Sequence, residues 1–145
     1  MTRIRAADAA DAGSIAALLT HLGYPTDAAK ARVRLARLSS NPLACVLVAD
    51  EGGRVVGLAA AHVLPLIERD HGTYRLTALV VDGSARRRGL GRSLVEHVEA
   101  EARKHGCDRI EVTTDTSRPE AQRFYERLGF QDSPQRFLKH LRPTG

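Results

Sequence analysis

The chain has 145 residues, 43% of them hydrophobic, and a formal net charge of +5. That length suits one cored domain over residues 1–145 and is short for two. No apolar run approaches the ~20 residues that cross a bilayer, and Met1-Thr2-Arg3-Ile4-Arg5 lacks a signal-peptide pattern. Cys45 and Cys107 stand outside any C-x-x-C or metal-ligand spacing and read as small hydrophobes. A cytoplasmic protein with no metal site and no membrane partner is therefore expected. The positive charge invites nucleic acid as a partner, but only 4% of residues are aromatic and acidic residues are interleaved along the chain, so none is expected.

In chain order, Arg3-Ile4-Arg5 alternates as a first strand. Asp8 or Asp11 can cap a helix carrying Ile15, Leu18, Leu19 and Leu22 and ended by Gly23. Thr26 can cap a second helix with Ala29, Val33, Ala36 and Leu38 on its inner side, closed by Pro42. Residues 43–49 and 54–63 form a hairpin about Asp50-Glu51-Gly52-Gly53. A polar loop, 64–72, leads into a central strand at 73–82. A helix through residue 104 then buries Leu94, Val95, Val98 and Ala102, and Gly106 stops it. A strand at 109–114 follows, then a helix with Ser117 and Glu120 as its capping box, ended by Gly129. Further strands are expected from Phe130 and over 136–141.

The junction of the central strand and the long helix is the most informative stretch. Leu79-Val80-Val81 runs through Asp82 into Arg86-Arg87-Arg88-Gly89-Leu90-Gly91-Arg92-Ser93, with the helix's first turn expected over 86–91. Helix N-termini leave N–H groups unpartnered and carry partial positive charge, so they receive phosphates. Glycines let a ligand touch the backbone, and arginines bind the outer oxygens. The spacing is neither the G-x-G-x-x-G of dinucleotide turns nor a P-loop. It is R-x-x-G-x-G, on Arg86, Gly89 and Gly91. Downstream stands a second motif, A-x-x-F-Y-E-x-x-G-F, on Ala121, Phe124, Tyr125, Glu126, Gly129 and Phe130. In this order and separation, the two motifs resemble those of the GNAT superfamily of N-acetyltransferases, and the resemblance covers most of the chain.

The resemblance implies an α/β (α+β) fold: a mixed, mostly antiparallel seven-stranded sheet, splayed between its fourth and fifth strands and flanked by four helices. It implies acetyl-CoA as cosubstrate. The backbone of Leu79, Val80 and Val81 would pair with the pantetheine arm, and the amides from Arg87 through Arg92, with Arg86 and Ser93, would hold the pyrophosphate. Tyr125 would be the catalytic general acid, since a phenol with a pKa near ~10 stays protonated at neutral pH and can donate to the departing sulfur. The family often has asparagine where this chain has Arg118. Candidate bases for the acceptor are Glu68, His71, His62 and Asp115. The expected activity is direct acetyl transfer to a primary amine of a small molecule. A protein lysine or N-terminal amine, and a non-catalytic acyl-CoA sensor, are the alternatives. A homodimer through the last strand is the expected assembly.

Overall fold

A computed structural model of the chain describes residues 2–113, 119–133 and 137–141. The chain divides into two compact units, Met1–Thr113 and Thr114–Gly145. The first holds β1 (Thr2–Ala6), α1 (Ala12–Leu22), α2 (Ala28–Ser39), β2 (Ala44–Glu51), β3 (Arg54–Leu64), β4 (Thr73–Val81), α3 (Leu90–Lys104) and β5 (Arg109–Val112). The second holds α4 (Pro119–Arg127).

The five strands form one sheet in the order β1-β2-β3-β4-β5. The first three pairings are antiparallel, and β4 runs parallel to β5. On one face Val48, Leu58 and Val80 pack with Ile15 and Leu18 of α1 and Ala31 and Leu35 of α2. On the other, Ala49 and Val56 pack with Ala85 and Leu90. Leu94, Val95, Val98 and Ala102 of α3 are buried as their helical spacing predicts. Helices on both faces leave little room for polar side chains in the central strands.

Three local expectations change. Asp8 caps a 3-10 turn at Ala9–Asp11, accepting from the Ala10 amide, whereas Asp11 makes no cap to α1 and instead receives both terminal nitrogens of Arg5 at 2.9 Å. Asp27, not Thr26, caps α2, its Oδ1 accepting from the Lys30 amide at 2.8 Å. The inner stripe of α2 is Ala31 and Leu35, while Val33 and Leu38 are 58% and 38% exposed. Packing against Val48, Leu58 and Val80 of the sheet takes up Ala31 and Leu35, and this sets the rotation of α2.

The sheet has five strands among the described residues, where seven were expected. Residues 130–133 and 137–141 carry no strand. Alternation alone does not make one, because a strand is held by a ladder to a neighbour. Phe137 and Leu141 stay 95% and 82% exposed. Ser117, the expected cap of α4, lies outside the described residues, as does part of the expected last strand.

No helix among the described residues is long and apolar enough to cross a membrane.

Candidate active site

The central strand reaches the arginine–glycine turn with one edge unpaired. β5 pairs only with the first part of β4, from Thr73↔Arg109 to Leu76↔Val112. On its other side β4 remains paired to β3 through Val81. Residues 77–81 therefore offer backbone N–H and C=O groups on the β5 side with no strand partner among the described residues. A bulge marks the place: Ala60 faces Ala78 and Ala61 faces Leu76, leaving Thr77 extra, its hydroxyl donating to the Ala60 carbonyl at 3.1 Å. Leu79, Val80 and Val81 all lie on this unpaired stretch, as the sequence places them.

After Val81, Asp82 caps a 3-10 turn at Gly83–Ala85, accepting from the Ser84 amide and hydroxyl at 2.9 Å. Those bonds, the amide's foremost, hold its carboxyl below the usual range. The long helix then begins at Leu90, four residues later than its expected first turn at Arg86. Arg86 is extended, and Arg87 and Gly89 both sit in the left-handed region, at φ 66° and 76°. Left-handed residues cannot continue a right-handed helix, so the helix proper starts only after Gly89. Arg87 is the only non-glycine residue with positive φ among the described residues. Such strain persists where surrounding structure enforces it, often at functional sites.

The helix start itself is open. No side chain among the described residues caps α3, and its first turn contains no acid. A Cβ added at Gly89 would meet none of the described residues within 4 Å. The amides of Leu90, Gly91 and Arg92 belong to the turn that lacks intrahelical acceptors. Ser93 is the first whose amide is taken, by the Gly89 carbonyl at 3.0 Å. These features fit a phosphate group.

The arginines do not act alike. Arg88 is paired with Glu51 at 2.7 Å, and Arg86 turns back to donate to the Val81 carbonyl at 3.4 Å. Arg87 and Arg92 are exposed and have no ion pair among the described residues. Charge for an incoming anion thus comes first from Arg87 and Arg92, a division the sequence run does not reveal.

In the second unit, the late motif forms the end of α4. The Phe130 amide donates to the Tyr125 carbonyl and the Gly129 amide to the Glu126 carbonyl, both at 3.0 Å, with Gly129 at φ 93°. This is a Schellman ending, whose usual hydrophobic clasp joins the third-last helical residue to the one after the glycine. Here the clasp is Tyr125 against Phe130, edge to face at 5.3 Å, with Phe124 edge-on at 5.1 Å. The glycine and second phenylalanine of the motif thus terminate the helix and fix the Tyr125 ring. Burial pushes the Tyr125 phenol up to about 12, so it is protonated at every physiological pH.

Of the candidate bases, Glu68 and His71 are exposed in the loop between β3 and β4, and His62 is half-buried on β3. Asp115 and Arg118 lie outside the described residues. No cluster of metal-binding side chains occurs among the described residues. Cys45 and Cys107 are free, and burial pushes both thiols up.

A mixed sheet with one open central edge, leading into an uncapped, arginine-lined helix start, is an architecture suited to a phosphate-bearing ligand with a long extended arm. Residues 15–130 match the family described as Acetyltransferase (GNAT) family. The chain belongs to that family. It is 33% identical over 94 residues to an aminoalkylphosphonate N-acetyltransferase of Salmonella typhimurium, a match covering 65% of this chain and 61% of that protein. A mouse protein, N-acetyltransferase family 8 member 3, is 30% identical over 70% of this chain and 45% of its own length. The chain thus spans about half the length of such relatives. Among solved structures, a Bacillus halodurans protein named a transcriptional regulator superposes with a TM-score of 0.87 at 25% identity, over 97% of this chain and all of that one. An aminoglycoside N-acetyltransferase in complex with CoA shares the fold, with a TM-score of 0.86 at 18% identity over 99% of this chain and 96% of that one.

Proposed function

We propose that the protein is an acetyl-CoA-dependent N-acetyltransferase that moves the acetyl group to the primary amine of a small molecule by direct attack. The observation that carries this reading is the continuity of the unpaired edge at residues 77–81 with the uncapped turn at Arg87 and Gly89. An extended amide-bearing arm can add to such an edge as a strand does, while the pyrophosphate at its end meets the helix start. Leu79, Val80 and Val81 hold the arm, and the amides from Arg87 through Ser93 hold the phosphates, assisted by the Arg87 and Arg92 side chains. The β4–β5 pairing ends at Leu76↔Val112, and a splay of the sheet past that rung would make room for the arm.

Acetyl-CoA supplies an activated acyl group, and this chain supplies orientation and protons. The acceptor arrives as an ammonium and must lose one proton before it attacks and a second as the amide forms. One of these protons ends on the departing sulfur and the other in solvent. Tyr125, half-buried and protonated, donates toward the sulfur as negative charge grows there. Complete transfer from a phenol near 12 to a thiolate whose acid is near ~8.5 runs uphill, so the donation is concerted with reprotonation from the amine side. The proposed setting is the cytoplasm. The exposed Phe137, Leu138 and Leu141 support a homodimer, which sedimentation at micromolar concentration tests.

Calorimetry with acetyl-CoA tests the reading directly, expecting one site per chain. Release of free thiol across a panel of primary amines then tests turnover. A chain that neither binds acetyl-CoA nor releases thiol refutes it.

A further inference from the structure

A central strand covered on both faces carries apolar side chains on both, and β4 breaks this rule on one of them. Tyr74 and Leu76 are 0% and 2% exposed, yet between them stands Arg75. Directly opposite it in register are His62 on β3 and Glu111 on β5. Residues opposite one another in a ladder share a face, so His62, Arg75 and Glu111 form one transverse polar row across three strands. The row continues the face that carries Val46, Val48 and Leu58 under α1 and α2.

The row is built and reachable. Arg75 donates to Glu111 at 2.8 Å and to the Thr113 hydroxyl at 3.2 Å. The Arg75 and Glu111 side chains are 32% and 49% exposed. Arg75 Nε and Glu111 Oε2 make no bond among the described residues. One rung further along, at Leu76↔Val112, β5 leaves β4 and the unpaired edge begins. The row therefore borders the stretch assigned above to the acyl carrier's arm.

We infer that this row binds the acceptor, and that the acceptor is a zwitterion: a primary amine joined by a short aliphatic link to a phosphonate, carboxylate or similar anion. The inference rests on the acetyl-transfer reading and specifies its substrate class. Glu111 offers its free oxygen to the ammonium. Arg75, with His62 on its other flank, offers donors to the anion. An ion pair with free positions on both partners presents adjacent negative and positive charge, which a ligand of matching adjacent charges complements at both ends. A polyamine, carrying only positive charge, meets Arg75 unfavourably. A neutral amine leaves the anion side unused.

The test uses the full chain saturated with coenzyme A, so that it reads binding without turnover. Calorimetry compares 2-aminoethylphosphonate with propylamine and with ethylphosphonate. The zwitterion should bind at least tenfold more tightly than either. Arg75→Gln should cost the zwitterion tenfold or more and leave propylamine within about twofold, whereas Glu111→Gln should weaken both amines. Exchanging the partners, Arg75→Glu with Glu111→Arg, keeps a cross-strand ion pair and should keep the melting temperature, yet zwitterion binding should not return. Recovery of binding in the exchanged protein would reduce the pair to a strut between strands and overturn the inference. So would a zwitterion that binds no more tightly than propylamine. Failure of acetyl-CoA itself to bind would instead overturn the acetyl-transfer reading.

Discussion

Glu51 and Arg88 stand 2.7 Å apart, tying the last of three consecutive arginines to the hairpin end of β2. The pair is half-exposed, so it adds little stability. Its effect is to remove one cation from the group facing the helix start. Arg88→Ala should therefore change acetyl-CoA affinity by less than about threefold, while Arg92→Ala, which removes a cation that has no ion pair among the described residues, should weaken it by about tenfold at low salt. Glu51→Gln, by releasing Arg88, should tighten binding slightly. Calorimetric titrations at two salt concentrations check all three, and an Arg88→Ala effect as large as that of Arg92→Ala would contradict the division.

Arg87 holds φ 66° where glycine would sit without strain. The left-handed conformation costs an ordinary residue roughly 1 kcal/mol, partly offset by the unfolded-state entropy of glycine. Arg87→Gly should thus raise the melting temperature by about 1–2 °C while weakening acetyl-CoA binding. A variant both more stable and a poorer binder is the signature of strain kept for function. Gly89→Asp should lower stability instead, because it strains the turn at φ 76°, and should weaken binding further, because it puts a carboxylate over the proposed phosphate cradle. Binding should be lost, as seen by calorimetry, with the fold retained by circular dichroism.

What could be read from the sequence divides along physical lines. The buried stripe of α3 was legible because Leu94, Val95, Val98 and Ala102 have no competing apolar stripe on that helix. On α2 two stripes compete, one through Ala29 and Val33 and one through Ala31 and Leu35, and only packing on the sheet chooses between them. The sharp turn before α3 was legible in Gly89, because a glycine at positive φ acts through local backbone geometry. The partners of its arginines were not, since Glu51 meets Arg88 only after the hairpin is folded. The row of His62, Arg75 and Glu111 needs the register of three strands, which no local pattern contains. Tyr125 was singled out by its motif as a proton donor, and its clasp with Phe130 shows that part of that motif serves the helix ending.

Acid should unfold the protein through Asp11 and Asp50. Arg5 grips both, and its hydrogen bonds hold the two carboxyls below their ordinary value, with the Gly53 amide assisting at Asp50. In the unfolded chain these groups bind protons near ~3.9. Their contribution is thus fully present above that value and is lost as pH falls through the lowered folded values. Asp11 is 6% exposed, and Asp11→Asn, which leaves Arg5 with an uncompensated bond, should cost about 2–4 kcal/mol at pH 7. The variant should also show a shallower fall in stability between about pH 5 and 2. Urea unfolding across that range measures both, and an unchanged acid slope would assign the fall to other carboxyls.

Tyr125→Phe isolates the phenol from the ring. The edge-to-face contacts with Phe124 and Phe130 use only the ring, so melting temperature and acetyl-CoA affinity should hardly move. The turnover number should fall, because a donor to the sulfur acts when charge develops there and not when substrate binds. A phenol near 12 is a reluctant acid toward a thiolate, which places the loss at the low end of general-acid effects, about ten- to a hundredfold. The loss should shrink for an acyl donor with a more acidic leaving thiol, which needs less help to depart. In the unmodified protein, raising the pH to about 10 should produce no alkaline fall from Tyr125, since a group near 12 remains protonated there. A turnover number unchanged by Tyr125→Phe, measured where chemistry limits the rate, would leave the ring as the end-clasp of α4 and give protonation of the sulfur to water.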